Sequence, residues 1–351
     1  MDSKILNKFF VVTLFLIISV SALLLMQTSS QAGDCHTIDG KIVTSTNDTP
    51  VSHDGGTTYD KDNCSKEPLF YKVKFYKVML CISDPFVAGS GDTGANPDFS
   101  GCTGSIFSDA AGKDIIIEPG EATDLLDGGL ELAVGTYPFA AIVVSNHLGI
   151  KHFESFVDVN GAAETAIKGY NTAESTASAG NICWSVEDKA TTYTNTAAGT
   201  HNSLAYTVPS PDDFRTATMA CGTTLGATHT YGYAYEIIDS IDDTCDASSD
   251  CSTTFRPYIV YEADATVLGE FASTLLQSDG ITAGSNRANS VKLGYFLKFD
   301  NPLKVTEDTN SFEMKFTTST SVSVDFHGNG DMQTSKVGAD PFGVQFVLET
   351  K

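Results

Sequence analysis

The chain has a single tryptophan, and its positive charge is scarce: 21 Lys and Arg stand against 44 Asp and Glu, a formal net charge of −23. An acidic excess of this size repels phosphate and excludes sequence-independent nucleic-acid binding. The zinc-protease HExxH, the hydrolase GxSxG, the phosphate-cradling GxxxxGK[ST] and the dinucleotide GxGxxG are all missing. No C-x-x-C knuckle occurs, which argues against structural zinc. No reaction is named by the sequence, so the expected class is non-enzymatic. What is present is 41% hydrophobic residues, 30 glycines and 13 tyrosines in 351 residues. That composition is enough for a core and leans towards a β-rich, loop-rich protein.

Residues 1–32 have the layout of a secretory signal peptide: Lys4 and Lys8, an apolar run from Phe9 to Met26, then Ser30 and Ala32 as small exit residues. The apolar run touches the lower length limit for spanning a bilayer, so anchoring by residues 9–26 is the alternative if the leader stays attached. The expected location is secreted or cell-surface. All eight cysteines follow this leader: Cys35, Cys64, Cys81, Cys102, Cys183, Cys221, Cys245 and Cys251. An even count confined to an exported region reads as a disulfide framework. Of the 105 possible pairings, the scheme 35–64, 81–102, 183–221 and 245–251 keeps every bridge local.

Residues 33–68 are polar and turn-rich, and read as an N-terminal arm in which only Lys41-Ile42-Val43 resembles a strand. From Phe70 the texture changes: Tyr71, Val73 and Phe75 alternate with Lys72, Lys74 and Tyr76, the pattern of a half-buried strand. Further strands are expected at 115–118, 130–134, 139–145, 153–159, 231–238, 257–261, 291–299, 302–305, 311–317, 321–326 and 343–349. In residues 265–280, Val267, Leu268, Phe271, Leu275 and Leu276 recur at helical spacing, with Asp264 before and Gly280 after, so one short helix is expected there. The fold class is therefore mainly β, an antiparallel β-sandwich architecture. The polar stretch at 160–203 divides it into a β-sandwich domain at 69–165 and a second β-rich domain at 166–351.

Residues Ile115 to Asn146 carry Leu132, Gly135, Tyr137, Ile142 and Val144 in a strand, Gly-x-Tyr turn, strand order. In this the segment resembles the transthyretin-like β-sandwich modules of bacterial surface proteins. The resemblance implies an antiparallel β unit and brings no active site with it.

Two acidic loops suggest calcium, the one cofactor the sequence points to. Asp92, Asn96 and Asp98 lie on a Gly-rich turn, and Asp242, Asp243, Asp246 and Asp250 flank Cys245 and Cys251. Both supply the oxygen ligands a hard cation needs, without EF-hand spacing. A solvated acidic turn is the preferred reading of each, so no cofactor is expected and calcium is the alternative. The seven histidines, including His147 and His152, have no chelating spacing.

These features describe an exported structural protein, a fibre, pilus-like or coat subunit assembling by strand complementation. The strand at Gly343–Glu349, with Val344, Phe346 and Leu348 alternating, and the 33–68 arm are the segments for self-assembly. The alternative is a secreted calcium- or glycan-binding adhesion module, with Tyr193, Tyr206 and Phe214 as loop aromatics for a surface glycan. A secreted hydrolase ranks third.

Overall fold

A computed structural model describes residues 35–44, 63–91, 93–102, 104–119, 122–123, 133–158, 160–165, 167–169, 179–186, 200–201, 204–205, 219–227, 229–238, 241, 255, 257–263, 269–319, 321–328, 333–339 and 342–350. Residues 1–32, expected to be a signal peptide, and the acidic segment at 242–250 lie outside these residues.

The described residues are mainly strand with almost no helix, the strands numbered β1 to β23 along the chain. The largest sheet has eight members: β4 (Phe70–Cys81), β5 (Gly104–Ile117), β7 (Gly135–Ser145), β8 (His147–Lys151), β16 (Ala234–Ile237), β17 (Tyr258–Ala263), β18 (Gly269–Leu276) and β19 (Lys292–Val305). β4 is the alternating segment of the sequence. It buries Tyr71, Val73 and Phe75 and turns Phe70, Lys72, Lys74 and Tyr76 to the other face.

One edge of β4 pairs with β5, while the other pairs first with β8, at Phe70–Lys72, and then with β7, at Phe75–Cys81. β7 and β8 thus run in series along β4 and break only at Asn146, where β19 ends its pairing with β7 and β16 begins beside β8. The buried Asn146 holds this junction. Its Nδ2 donates to Ile238 O at 3.0 Å and Ser290 O at 2.9 Å, and its own carbonyl accepts from Ile238 N at 2.8 Å.

Four smaller sheets complete the structure. One joins β1 (Thr37–Ile38), β2 (Lys41–Val43), β9 (Phe153–Val157), β12 (Ile182–Ser185) and β15 (Met219–Gly222). A second joins β3 (Asn63–Lys66), β10 (Ile167–Gly169), β11 (Ala179–Gly180), β21 (Val322–Gly328) and β22 (Gln333–Ala339). β6 (Ala122–Thr123), β20 (Thr309–Thr317) and β23 (Gly343–Thr350) form a third, and β13 (Thr200–His201) with β14 (Leu204–Ala205) a fourth. Pairing is antiparallel except for β2 with β9 and β10 with β22.

The architecture is a mainly β sandwich. The inner face of the large sheet (Tyr71, Val73, Phe75, Ile142, Leu297) packs on Met314, Phe316, Val344 and Phe346, and on Val322, Val324 and Val337, in one continuous core. Tyr71 reaches across and donates its hydroxyl to the carbonyl of Ser321.

Two expectations of local structure change. The segment expected as a helix is β18: residues Phe271–Leu276 are all buried, because one face of this strand (Phe271) lies on the core and the other (Ala272) lies under Phe86 and Phe99 of the loop at 82–102. A strand covered on both faces reads as an unbroken apolar run, which helical spacing can fit by accident. Ala133 and Val134, placed in a strand at 130–134, are outside regular structure, while residues 130–132 are not described. The described ends of the arm at 33–68 are built into sheets: β2 pairs with β9 and β3 with β21. Strands from both sides of residue 165 share the eight-stranded sheet.

Candidate functional site

The outer face of the eight-stranded sheet is divided in two. One half is roofed by the loop at 82–102, which the Cys81–Cys102 bridge closes. Phe86 and Phe99 sit 5.8 and 6.3 Å from Phe296, over Met79, Cys81 and Ala141, and Tyr261 donates to Asp84 Oδ1 at 2.8 Å. The other half carries lysines and aromatic rings in rows set by strand register.

In the first row Lys72 of β4, Gly149 of β8 and Tyr235 of β16 are direct neighbours. Gly149 leaves the middle of the row empty. A Cβ there would come within 3.0 Å of both Lys72 Cβ and Tyr235 Cε1, so its absence lets the two flanking side chains meet and hydrogen bond over it. In the next row Lys151 Nζ lies over three rings, Phe70 at 5.4 Å, Tyr231 at 5.0 Å and Tyr233 at 5.9 Å. Further along, Lys292 Nζ is 3.9 Å from the centre of the Tyr76 ring. Asp114 of β5 is the acidic partner, 3.4 Å from Lys72 and 3.6 Å from Lys74.

The charges respond to these surroundings. Burial pulls Lys72 down, but its bond to Tyr235 and the charges of Tyr235 and Asp114 outweigh this and hold its pKa above the usual lysine value. Lys292 is lowered, by burial and by the like charge of Lys77, with Asp279 opposing. Burial raises Tyr76, and Asp114 adds to it.

Tyr231 is pushed up to about 12, chiefly by burial and secondly by Tyr233. Its raised folded pKa contributes stability that is complete below the ordinary tyrosine pKa near 10 and is lost as pH climbs through about 12. Phenolate absorbance of the folded protein should therefore contain a late component near pH 12. That component should be missing from Tyr231→Phe, which should also resist alkaline unfolding to higher pH. An unchanged titration in the variant would refute the burial argument.

Of the calcium candidates, Asp92 and all of Asp242, Asp243, Asp246 and Asp250 lie outside the described residues. The two that are described have backbone partners: Asn96 Oδ1 accepts from Ala283 N at 2.8 Å, and Asp98 Oδ1 accepts from Ser100 N at 2.9 Å, capping a short 3-10 turn. A side-chain hydrogen bond from Ser100, and after it that capping bond, lowers the Asp98 pKa. Among the described residues, no three acidic, His or Cys groups gather as a metal would require. Tyr193, Tyr206 and Phe214 are likewise not described.

His152, Glu154 and Ser185 have the residue types of a hydrolytic triad. The geometry makes them structural instead. His152 Nε2 is 2.9 Å from Glu154 Oε1, and Lys66 of β3 is 3.6 Å from the same oxygen, an ionic link between two sheets. Ser185 is buried, its hydroxyl donating to Gly232 O at 2.6 Å and accepting from the backbone N of His152 at 3.0 Å. No ring nitrogen of His152 takes the Ser185 proton, so the serine is not activated.

Three disulfides join Cys35 to Cys64, Cys81 to Cys102 and Cys183 to Cys221, the pairs of the local scheme, and no described cysteine is free. Cys245 and Cys251 are not described. Such bridges are compatible with an oxidising, extracellular setting. No helix among the described residues is long and apolar enough to cross a membrane. Between the layers lies an apolar cavity of about 130 Å³, lined by Ile142, Val144, Leu148, Phe271, Leu293 and Val344, with Ser273 and Tyr295 also at its wall.

Fold and site together define a disulfide-bonded, mainly β protein with a lysine and aromatic sheet face. Comparison with protein families, curated proteins and solved structures finds no match to this chain.

Proposed function

We propose that the chain is an exported, non-enzymatic structural protein of the cell surface or extracellular space, assembling through the open edge of β23. The observation that carries this reading is the position of β23 within its sheet. Among the described residues it pairs with β20 on one side only, and Val344 and Phe346 anchor it in the core. A core-anchored strand with an unpaired edge is a template for strand addition from a second copy. The disulfides support the exported setting, and the leader-like residues 1–32 support secretion. The described ends of the 33–68 arm are pinned by Cys35–Cys64, which favours β23 over the arm as the assembling element.

Sedimentation of the purified chain is the test. The wild type should form species larger than a monomer, more so at high salt because a net charge of −23 opposes association at low ionic strength. Val347→Lys, which adds a charge to the edge strand, should return the protein to a monomer. A wild type that stays monomeric across salt concentrations would remove the fibre reading. Non-reducing against reducing gels of the extracellular fraction test export separately.

A further inference from the structure

We infer that the open half of the eight-stranded sheet's outer face binds an acidic polysaccharide, a chain of sugar rings bearing carboxylate or sulfate groups. Lys72, Lys74, Lys151 and Lys292 place four of only 21 basic residues on this one face. Against a strongly acidic whole, that local reversal of sign is complementary to an anion. Asp114 partly neutralises Lys72 and Lys74. Asp279 lies near Lys292, while Lys151 is held over ring faces, which leaves its charge able to meet a carboxylate or sulfate.

The rings argue for a sugar over an acidic peptide. Tyr76, Tyr233 and Tyr235 give flat apolar bodies with polar tips, and Phe70 a flat apolar ring, the surface on which the C–H face of a pyranose stacks while its hydroxyls stay wet. The face is also open. Lys72 and Lys74 side chains are 30% and 40% exposed, and Ile116, the β5 neighbour of Lys72, is 50% exposed. Because the strands fix every row, little ordering is needed on binding.

The proposal adopts the exported setting proposed above for where such a ligand is met. The experiment does not depend on that setting or on assembly: the purified full chain is titrated with polygalacturonate, dextran sulfate, neutral dextran and polyglutamate. Polygalacturonate should bind with an affinity that falls as salt rises, and neutral dextran should not bind. The triple variant Lys72→Gln, Lys74→Gln, Lys151→Gln should weaken binding by about tenfold or more. Tyr235→Ser should weaken polygalacturonate more than dextran sulfate, and Lys41→Gln, an exposed residue of another sheet, should change nothing. Trp184 emission confirms that each variant is folded. Failure of both anionic polysaccharides to bind overturns the proposal. So does equal binding by the triple variant, or polyglutamate binding as tightly as polygalacturonate, which would make the face a dock for acidic peptide.

Discussion

Replacing Cys183 and Cys221 together by alanine should lower the unfolding free energy by about 4 kcal/mol, the loop-closure entropy restored to the unfolded chain when a bridge across 38 residues is removed. The two residues are directly opposed in β12 and β15, both fully buried, and β15 is held to β12 by four residue pairs. The equivalent double substitution at Cys81 and Cys102, spanning 21 residues, should cost about half a kcal/mol less on closure entropy alone. Trp184 gives the readout. It is adjacent to Cys183, fully buried, and its indole N–H donates to His229 O at 2.9 Å, so denaturant titration followed by its emission reports the sheet that the bridge ties. A loss under about 1 kcal/mol for the Cys183–Cys221 pair would mean that the unfolded chain is already compact there, and the entropic account would fail.

A comparable loss is expected at a polar residue. Asn146→Ala removes two buried hydrogen bonds and leaves the carbonyls of Ile238 and Ser290 without that donor, at a cost of about 2–4 kcal/mol. Asn146→Asp should cost more, because a carboxylate has no proton to offer and would face two carbonyl oxygens in a buried site. The consequence is topological as well as energetic. Asn146 marks the point where one long strand changes partners, β19 on one side of the break and β16 on the other. Thermal unfolding monitored by near-ultraviolet circular dichroism should show both variants destabilised in that order. A melting curve for Asn146→Ala that overlays the wild type would show that water replaces the side chain without loss.

The structural role of the His152, Glu154 and Ser185 cluster follows from the same accounting of buried polar groups. Glu154 lies opposite Cys183 in the sheet register, and its carboxylate is met by both His152 and Lys66. A carboxylate taken out of water needs such partners, and supplying them joins two sheets. The constellation therefore contributes to holding the sandwich together and adds nothing to nucleophile activation.

Much of the β architecture was readable because a strand that buries one face writes its period into the chain. β4 alternates Lys and aromatic residues with core residues over its first half, and β20, β21 and β23 carry the same signature. β22, Gln-Thr-Ser-Lys-Val-Gly-Ala, does not, since its first four residues are all polar. β18 misled for the opposite reason, being covered on both faces. The local disulfide scheme was open to sequence reasoning because short loops cost the least entropy to close.

The lysine and aromatic face was not readable. Phe70, Lys72, Lys74 and Tyr76 look like the solvent side of any half-buried strand, and Tyr231, Tyr233 and Tyr235 lie far along the chain. Their union depends on β8 bridging β4 and β16 with a glycine at its centre, and on Asn146 redirecting the strand so that β16 has a place to pair. The sequence by itself determined that the chain folds into disulfide-tied β layers with an acidic surface, since period, cysteine count and net charge are local or summed quantities. Only the tertiary structure decided which strands are neighbours and hence which side chains share a face, because strand order is settled by long-range pairing that no short window of residues encodes.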